Sequence, residues 1–430
     1  MSAKQPEAQI TELDSGIRVV TEAMPSVRSV ALGLWVRTGS RDEDPAQAGV
    51  SHFHEHLLFK GTKRHSAIEI AEIFDGMGAS INAATSKEST QLHARLLDTH
   101  TEEAFDLLAE MFLAPTYPEV DSERQVVLEE IAMYEDEPSD KVHDVLDRAV
   151  FGAHPLGRRV IGEAEVISSI PVPEIDAYHR ARYTAANIVV AAAGNLEHET
   201  IASLAERHLA PPTGNGSAPA LEPPQTNGAH VGFQQKDTEQ YHVTFGGPGI
   251  DRADERRFAL AILDAVFGGS TSSRLFREIR EKRGLAYAVG SYIQQFVDGG
   301  LIGVYVGTRE DNVGEACEII GSELAHLHAE GITDQELARA KEHVKGRMVM
   351  SSESTAARMG RLGKAVLFDT PLLTLDEMLA RVDEVSADDV AELADEFYAP
   401  EALSAAAIAP SEERFRAALA PVSESLAAAA

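Results

Sequence analysis

Residues 52–56, His-Phe-His-Glu-His, bring together in one short segment the types of side chain that can bind a metal ion and activate water. The apolar residues around them predict a helix over Val50–Phe59. Because each residue of a helix turns by about 100°, His52 and His56 lie only about 40° apart, and both imidazoles can reach one ion. His54 lies roughly 200° from His52 and is therefore not expected to bind that ion.

Zinc suits this arrangement, because it accepts imidazole nitrogen and carboxylate oxygen in a tetrahedral shell. A catalytic zinc site leaves one position for water, so one further protein ligand must come from elsewhere in the chain. Glu55 is then available to accept the proton of that water. The competing interpretation is a surface helix with solvated histidines. The H-x-x-E-H order of His52, Glu55 and His56 is, however, the inverzincin signature.

The surrounding segment GVSHFHEHLLFKGT resembles the zinc motif of the pitrilysin/insulinase metallopeptidases, a family that includes mitochondrial processing peptidase and two-domain bacterial relatives. The resemblance extends over nearly the whole chain. Residues 154–170 and 183–195 are similar to the end of the family's zinc-binding domain, and residues 272–292 are similar to part of its second domain. The resemblance implies a zinc metalloendopeptidase with one zinc ion per chain.

In this family a glutamate roughly 75 residues beyond the motif supplies the third zinc ligand, and the resemblance places it at Glu130 in ERQVVLEE. Glu129 is the neighbouring alternative; the two side chains point about 100° apart on a helix, so only one can face the ion. Glu123 lies two helical turns before Glu130 on the same face. The resemblance implies that Glu123 holds a zinc-ligating imidazole, whereas the alternative is an ordinary acidic residue on a helix surface.

A substrate-binding strand is predicted within residues 78–96, which alternate and are rich in small and β-branched residues. The resemblance implies an edge strand beside the zinc, to which an extended peptide adds by backbone hydrogen bonds. In that arrangement Asn82 binds the substrate near the scissile bond, and Ala83 and Ala84 line the groove. The alternative is a plain edge strand followed by a turn at Ser86–Glu88.

A second substrate-binding pair is Arg280 with Tyr287, whose spacing of seven residues matches an Arg/Tyr pair of the family. Arginine can hold a substrate carbonyl, and tyrosine can donate a hydrogen bond to the developing oxyanion, so Tyr287 is also a candidate catalytic residue. Arg283 and Tyr292 are nearby residues of the same types. Without the resemblance, an Arg/Tyr pair at this spacing would carry little information.

The chain divides into two similar halves. Residues 211–228 are rich in Pro, Gly, Ser and Asn and predict a linker between domains 1–210 and 229–430. DSERQVVLEEIAM in the first half is matched 213 residues later by DQELARAKEHVKG, which indicates a duplication. Strand and helix patterns mix in both halves. We therefore expect an α+β fold of two duplicated domains, each a mostly antiparallel sheet packed with helices, and the resemblance implies that together they form half of a clamshell.

Half a clamshell needs a second chain to complete it. Because this chain carries both the zinc motif and the Arg280/Tyr287 pair, we expect a homodimer. The alternative is a heterodimer with a related subunit. The enclosed chamber would admit short or unstructured peptides. A different class of function is a non-catalytic or partner-dependent subunit of a larger assembly, but the complete set of motif residues favours the enzyme.

The amino-acid composition limits which binding partners and which cellular compartment we expect for this protein. The 38 Lys and Arg residues are outnumbered by 69 Asp and Glu residues, for a formal net charge of −31, which argues against nucleic-acid and anionic-membrane partners. The single cysteine, Cys317, excludes an intramolecular disulfide and a cysteine-based metal cluster. The first residues lack a secretion-signal pattern, so we expect a cytoplasmic protein.

Overall fold

The computed structural model describes residues 8–211, 222–225 and 229–429, and the predicted linker lies largely outside them. The strands are β1 (Gln9–Glu12), β2 (Arg18–Ala23), β3 (Ser29–Val36), β4 (Ser80–Thr85), β5 (Thr90–Leu97), β6 (Ile188–Gly194), β7 (Val231–Gln235), β8 (Tyr241–Gly249), β9 (Ala286–Gln295), β10 (Gly300–Thr308) and β11 (Ser404–Ala409).

The helices are α1 (Val50–Leu57), α2 (Ala67–Gly76), α3 (Thr101–Leu113), α4 (Val120–Glu135), α5 (Pro138–Phe151), α6 (Ala164–Ser169), α7 (Val172–Arg182), α8 (His198–His208), α9 (Arg257–Phe267), α10 (Val313–Glu330), α11 (Asp334–Ser352), α12 (Thr355–Leu367), α13 (Leu375–Glu384), α14 (Ala387–Phe397), α15 (Glu412–Ala417) and α16 (Glu424–Ala429). A π-helical turn spans Phe276–Glu281. No helix within the described ranges combines the length and the apolar character needed to cross a membrane.

The described residues form two compact units, each of which includes a segment from the other half of the chain. The first unit comprises residues within Met1–Ala132, Arg159–Glu222 and Val349–Thr374, and the second comprises residues within Met133–Arg158, Pro223–Met348 and Leu375–Ala430. As a result α12, from the second half of the sequence, packs on β2, β3 and β6, and α5, from the first half, packs on β7, β8 and β11.

Both units contain a mostly antiparallel sheet. Apart from the additional strand β1 in the first sheet, the two sheets share one strand order. The sheet of the first unit runs β1-β2-β6-β3-β5-β4, and that of the second runs β7-β11-β8-β10-β9. In each sheet a single pair is parallel, β2 with β6 and β7 with β11. The predicted α+β class and the duplicated architecture are confirmed. The matching strand orders also place β4 and β9 at the same edge of their respective sheets.

The sheet of the first unit is buried on both faces, which makes it a rigid support for the helices that carry the motif. One face packs through Leu32 and Leu34 against the apolar sides of α3 and α8. The other face packs through Trp35 against Met359 and Leu362 of α12. Full burial of one such side chain stabilises the fold by about 1.5–3 kcal/mol. Because its strands are packed on both sides, this sheet fixes the position of its own side chains relative to those of the helices that pack on it.

Candidate active site

Helix α1 carries the H-x-x-E-H residues and begins where the sequence predicts, although it ends at Leu57 rather than Phe59. Gly49, just before it, adopts a left-handed φ of 95°, and a Cβ at this position would lie 2.7 Å from Gly162 Cα, so only glycine fits. The Glu43 carboxylate accepts hydrogen bonds from the Gly49 and Ser51 backbone N–H groups at 2.7 and 2.8 Å. This contact satisfies two of the N–H groups that a helix start leaves unpaired.

The buried side of α1 orients the motif residues. Val50, Phe53 and Leu57 are completely buried in an apolar cluster. Since they occupy the inner face, His52 and His56 project from the opposite side of the helix. This agrees with the prediction from helical spacing that His52 and His56 lie on one face of the helix.

His52, His56 and Glu130 converge on one point. His52 Nε2 lies 3.7 Å from Glu130 Oε1, and His56 Nε2 lies 3.3 Å from Glu130 Oε2. One donor atom from each of the three residues lies within 4.8 Å of the other two. Donors bound at about 2.0–2.1 Å around a tetrahedral zinc ion are roughly 3.3 Å apart, so these separations fit zinc. The neighbouring Glu129 is exposed and does not belong to this group.

Glu123 holds the ring of His56. Its Oε1 lies 2.8 Å from His56 Nδ1, and only 6 % of the Glu123 side chain is exposed. A carboxylate on the second ring nitrogen fixes the orientation of a metal-binding imidazole, and this contact is the one that the family resemblance implied for Glu123. The alternative of an exposed acidic residue does not hold, because Glu123 is buried. The other carboxylate oxygen of Glu123 contacts Lys60 Nζ at 2.5 Å.

The environments of the two imidazoles shift their pKa values in opposite directions. Burial and the neighbouring His56 lower the pKa of His52 to about 4, so His52 is neutral at physiological pH and can bind a metal. Burial acts in the same direction on His56, but the hydrogen bonds with Glu130 and Glu123 outweigh it and raise the pKa of His56 above its usual value. Contact with His56 holds the pKa of Glu130 below its ordinary range.

Glu55 lies outside the metal-binding group and is held by Thr85 of β4. The Thr85 hydroxyl donates a hydrogen bond of 2.5 Å to Glu55 Oε2. Burial raises the pKa of the Glu55 carboxyl, and the bond from Thr85 opposes part of that shift. A carboxylate with a raised pKa that is fixed through one oxygen can use the other to exchange a proton with a reactant.

His54 occupies a different environment from the other two histidines of the motif. It is completely buried, its ring nitrogens lie 3.2 and 3.1 Å from the hydroxyls of Tyr183 and Tyr117, and it stacks on His179. Burial lowers the pKa of His54 well below its usual value. The structure therefore places His54 inside the core behind α1, away from the donor atoms of His52 and His56.

Strand β4 is the edge strand of its sheet and contains the predicted substrate-binding residues. It pairs only with β5 among the described strands, so no described strand occupies its other backbone edge. The side chains of Asn82 and Ala84 are exposed, whereas Ala83 is buried in the core and can offer only its backbone. The Asn82 side-chain carbonyl accepts a hydrogen bond from the Ala83 N–H at 2.9 Å.

Arg280 and Tyr287 lie together in the second unit. The Arg280 guanidinium lies 4.3 Å from the centre of the Tyr287 ring, and its Nη1 donates a 2.8 Å hydrogen bond to the Tyr287 carbonyl. Arg280 belongs to the π-helical turn, a feature that is rare and frequent at functional sites. Tyr287 is the extra residue of a β-bulge, because Ala286 and Ala288 pair with consecutive residues of β10. The bulge turns the phenol outward, and 78 % of the residue is exposed.

A cavity of about 590 Å³ adjoins this pair at the edge of the second sheet. Tyr292, His143 and Tyr305 line it, together with Arg280 and Tyr287. The Tyr292 hydroxyl is hydrogen-bonded to His143 Nδ1 at 2.9 Å, and the Tyr305 hydroxyl is hydrogen-bonded to His242 Nδ1 at 2.8 Å. Tyr292 therefore forms part of the cavity wall, whereas the Tyr287 hydroxyl projects outward.

Comparison with known proteins identifies the family. Residues 18–164 match the profile "Insulinase (Peptidase family M16)", and residues 169–344 match "Peptidase M16 inactive domain". An uncharacterized zinc protease of Streptomyces coelicolor is 42 % identical, over 88 % of this chain and 85 % of its own length. The chain belongs to the M16 peptidase family. A second M16-like relative, the uncharacterized zinc protease YmxG of Bacillus subtilis, is 41 % identical over 92 % of this chain and 97 % of its own length.

Solved structures share the fold of this M16 chain. A structure described as a peptidase M16 inactive domain from Pseudomonas fluorescens superimposes with a TM-score of 0.86 at 24 % identity, covering 94 % of this chain and 98 % of that one. A protease from Helicobacter pylori gives a TM-score of 0.85 at 22 % identity, covering 94 % of this chain and 100 % of that one. The resemblance to the zinc-peptidase family seen in the sequence is thus confirmed.

Three residues of the M16 site were not singled out from the sequence. Glu43 precedes α1 by seven residues, and Thr85 lies 30 residues after its hydrogen-bond partner Glu55. Lys60 belongs to the motif segment, but no role was predicted for it. The sequence pattern offered no signal for any of the three, since their contacts depend on how separate elements pack.

Proposed function

We propose that this chain is a zinc-dependent endopeptidase that cleaves short or unstructured peptides. The observation that carries the proposal is the convergence of His52, His56 and Glu130, with Glu55 beside them outside the donor set. The relatives named zinc proteases support the same activity. A bound zinc ion would supply Lewis-acid polarisation of a peptide carbonyl and of water.

Residues of the chain would supply proton transfer, substrate binding and stabilisation of the oxyanion. Glu55 takes the proton from the attacking water and later passes it to the leaving amine. Thr85 keeps the Glu55 carboxylate in one orientation. The open edge of β4 binds the peptide in extended form, with Asn82 and Ala84 exposed along it. Arg280 holds a substrate carbonyl, and the Tyr287 hydroxyl donates a hydrogen bond to the oxyanion.

Replacing Tyr287 by phenylalanine should lower kcat for peptide cleavage by about 100-fold, because one hydrogen bond to the developing oxyanion is lost. KM should change little, since the ring that stacks on Arg280 remains. Steady-state kinetics on one fluorogenic peptide would measure both parameters. The matched control is Tyr292→Phe, whose hydroxyl is used inside the protein; an equal loss of kcat in this variant would contradict the role of Tyr287.

The proposed chamber is a homodimer in which Arg280 and Tyr287 of one chain serve the zinc site of the other. Mixing inactive Glu55→Gln chains with inactive Tyr287→Phe chains should then restore roughly a quarter of the wild-type activity, because each mixed dimer of a twofold assembly regains one intact site. Activity would be assayed after the chains exchange subunits. Mixtures as inactive as their components would exclude sharing of residues between identical chains.

The substrate class can be tested with one polypeptide in two states. A small disulfide-stabilised protein should resist cleavage, whereas its reduced and alkylated form should be cut, because only an unfolded segment can add to the edge of β4. Mass spectrometry of the products would identify the cleaved bonds. Cleavage of the folded form at surface loops, at a similar rate, would contradict an enclosed site that admits unstructured chains.

The raised pKa of Glu55 should be measurable in the metal-free protein. Burial disfavours the charged carboxylate, so Glu55 should become protonated at a higher pH than an ordinary glutamate. An NMR titration that follows the Glu55 side-chain carboxyl would measure this pKa, with the exposed Glu72 as the control. A Glu55 carboxyl that titrates together with Glu72 would contradict the expected effect of burial.

A second candidate is a partner-dependent subunit, which the match of residues 169–344 to an inactive-domain profile favours. A chain of complex III2 from Candida albicans shares the fold at a TM-score of 0.82 and 20 % identity, covering 96 % of this chain and 99 % of that one. The two candidates differ in the behaviour of the purified protein. A purified protein that binds zinc but cleaves no peptide, and that becomes active when a related subunit is added, would favour the partner-dependent subunit.

A further inference from the structure

Lys60 is linked to the proposed zinc site through Glu123. Its Nζ lies 2.5 Å from Glu123 Oε2, while Glu123 Oε1 lies 2.8 Å from Nδ1 of His56. The Glu123 side chain is 6 % exposed, and that of Lys60 is 28 % exposed. The two oxygens of one buried carboxylate are thus divided between a lysine and a proposed metal ligand.

The position of Lys60 is fixed by the backbone as well as by this ion pair. The chain leaves α1 in a turn in which the Lys60 N–H donates to the Leu57 carbonyl at 3.2 Å. Lys60 therefore lies in the turn that directly follows α1, four residues after His56. A carboxylate with one oxygen fixed by Lys60 has a defined plane, and the other oxygen therefore fixes the plane of the His56 ring.

The second unit provides an internal comparison. Glu336 lies 213 residues after Glu123, at the start of α11, which corresponds to α4. Its carboxylate is held by Arg274, with Nε and Nη2 at 2.8 and 2.9 Å from its two oxygens. Among the described residues, His52, His56 and Glu130 are the group that could hold a metal ion, and none belongs to the second unit.

The carboxylate and its cation can stabilise the fold, and in the first unit they can also orient His56. The pair is present in both units, so neutralising a buried carboxylate at the start of this helix belongs to the fold itself. Arginine spans both oxygens of a carboxylate as a fork, whereas lysine acts as a point charge on one. In the first unit Lys60 contacts one oxygen of Glu123, and the other oxygen contacts His56.

We propose that Lys60 is a positioning residue of the zinc centre, which acts by holding one oxygen of Glu123 so that the other orients His56. The proposal rests on the proposed zinc-binding function of His52, His56 and Glu130. It assigns no contact between Lys60 and the substrate or the metal ion. Its consequence is that removing the lysine weakens zinc binding even though every ligand is retained.

The test compares Lys60→Met with Arg274→Met in the full-length chain. Each variant removes the cation from one of the two corresponding buried carboxylates, but only the first pair adjoins the proposed zinc ligands. Zinc dissociation constants would be measured by competition with a chelator, and thermal unfolding would be followed for the metal-free proteins. The visible absorption spectrum of the cobalt-substituted proteins would report the geometry of the ligands.

Lys60→Met should raise the zinc dissociation constant about 10-fold and alter the cobalt spectrum, because loss of an outer-shell partner typically costs 10–100-fold in affinity. Arg274→Met should lower the unfolding temperature but leave both metal readouts unchanged. If either variant fails to fold, Lys60→Gln or Arg274→Gln replaces it, since each also removes the cation.

Two outcomes would overturn the proposal: a Lys60 variant with wild-type zinc affinity and cobalt spectrum, or an Arg274 variant that weakens zinc binding equally. Wild-type protein that binds no zinc would instead refute the proposed function, so the two failures are distinguishable.

Discussion

Glu55→Gln should lower kcat for peptide cleavage by about 1,000-fold while leaving zinc bound, because general acid–base catalysis contributes roughly 10²–10⁴-fold and glutamine cannot accept the proton. Glutamine has the shape of glutamate, and its amide oxygen can still accept the hydrogen bond from Thr85. Glu55 does not belong to the metal-binding group, so zinc affinity should stay close to that of the wild type. Single-turnover assays with excess enzyme would measure the residual rate.

The matched control is Glu72→Gln, which makes the same chemical change at an exposed position of α2. This variant should cleave at the wild-type rate. If Glu55→Gln retained substantial activity, the cleavage would come from a contaminant or from another mechanism. If it lost its zinc, Glu55 would have to be reassigned from proton transfer to metal binding.

Glu130→Gln should raise the zinc dissociation constant by more than roughly 100-fold, since the loss of an outer-shell partner alone costs 10–100-fold and Glu130 is a proposed ligand. The amide oxygen of glutamine carries no charge to balance the dication. Cleavage should disappear at ordinary zinc concentrations. Chelator competition would measure the affinity, and added zinc would test whether any activity returns.

Glu129→Gln is the control for this variant and also tests the alternative left open by the sequence. Glu129 is adjacent to Glu130 on α4 but is exposed and lies outside the donor group. Its substitution should leave zinc affinity and cleavage unchanged. A larger loss of zinc in Glu129→Gln than in Glu130→Gln would mean that α4 presents the other carboxylate to the ion.

Helical periodicity predicted the relations within a single element: His52 and His56 share one face of α1, and Glu123 and Glu130 share one face of α4. The choice of Glu130 as third ligand, and of Asn82, Arg280 and Tyr287 as substrate-binding residues, came from family resemblance. The edge position of β4 came from family resemblance rather than from the strand pattern, because alternation indicates a strand but does not say which strands flank it.

The features that were not predicted depend on packing between elements. An amphipathic helix shows that it covers an apolar surface but not which one, so the exchange of α5 and α12 between the two units left no signal in the sequence. The bulge at Tyr287 and the π-helical turn at Arg280 are local irregularities that strand and helix periodicity cannot indicate. The bond from Thr85 to Glu55 likewise forms only after α1 packs beside β4.

Peptide cleavage by means of zinc held at His52, His56 and Glu130 can be tested with a single preparation of the protein. Its metal-free and zinc-reconstituted forms would be incubated with a mixture of unstructured peptides, and the products read by mass spectrometry. We expect no cleavage by the metal-free protein and recovery of cleavage as zinc binding approaches one ion per chain. Equal cleavage by both forms, or a protein that takes up no zinc, would refute the proposed function.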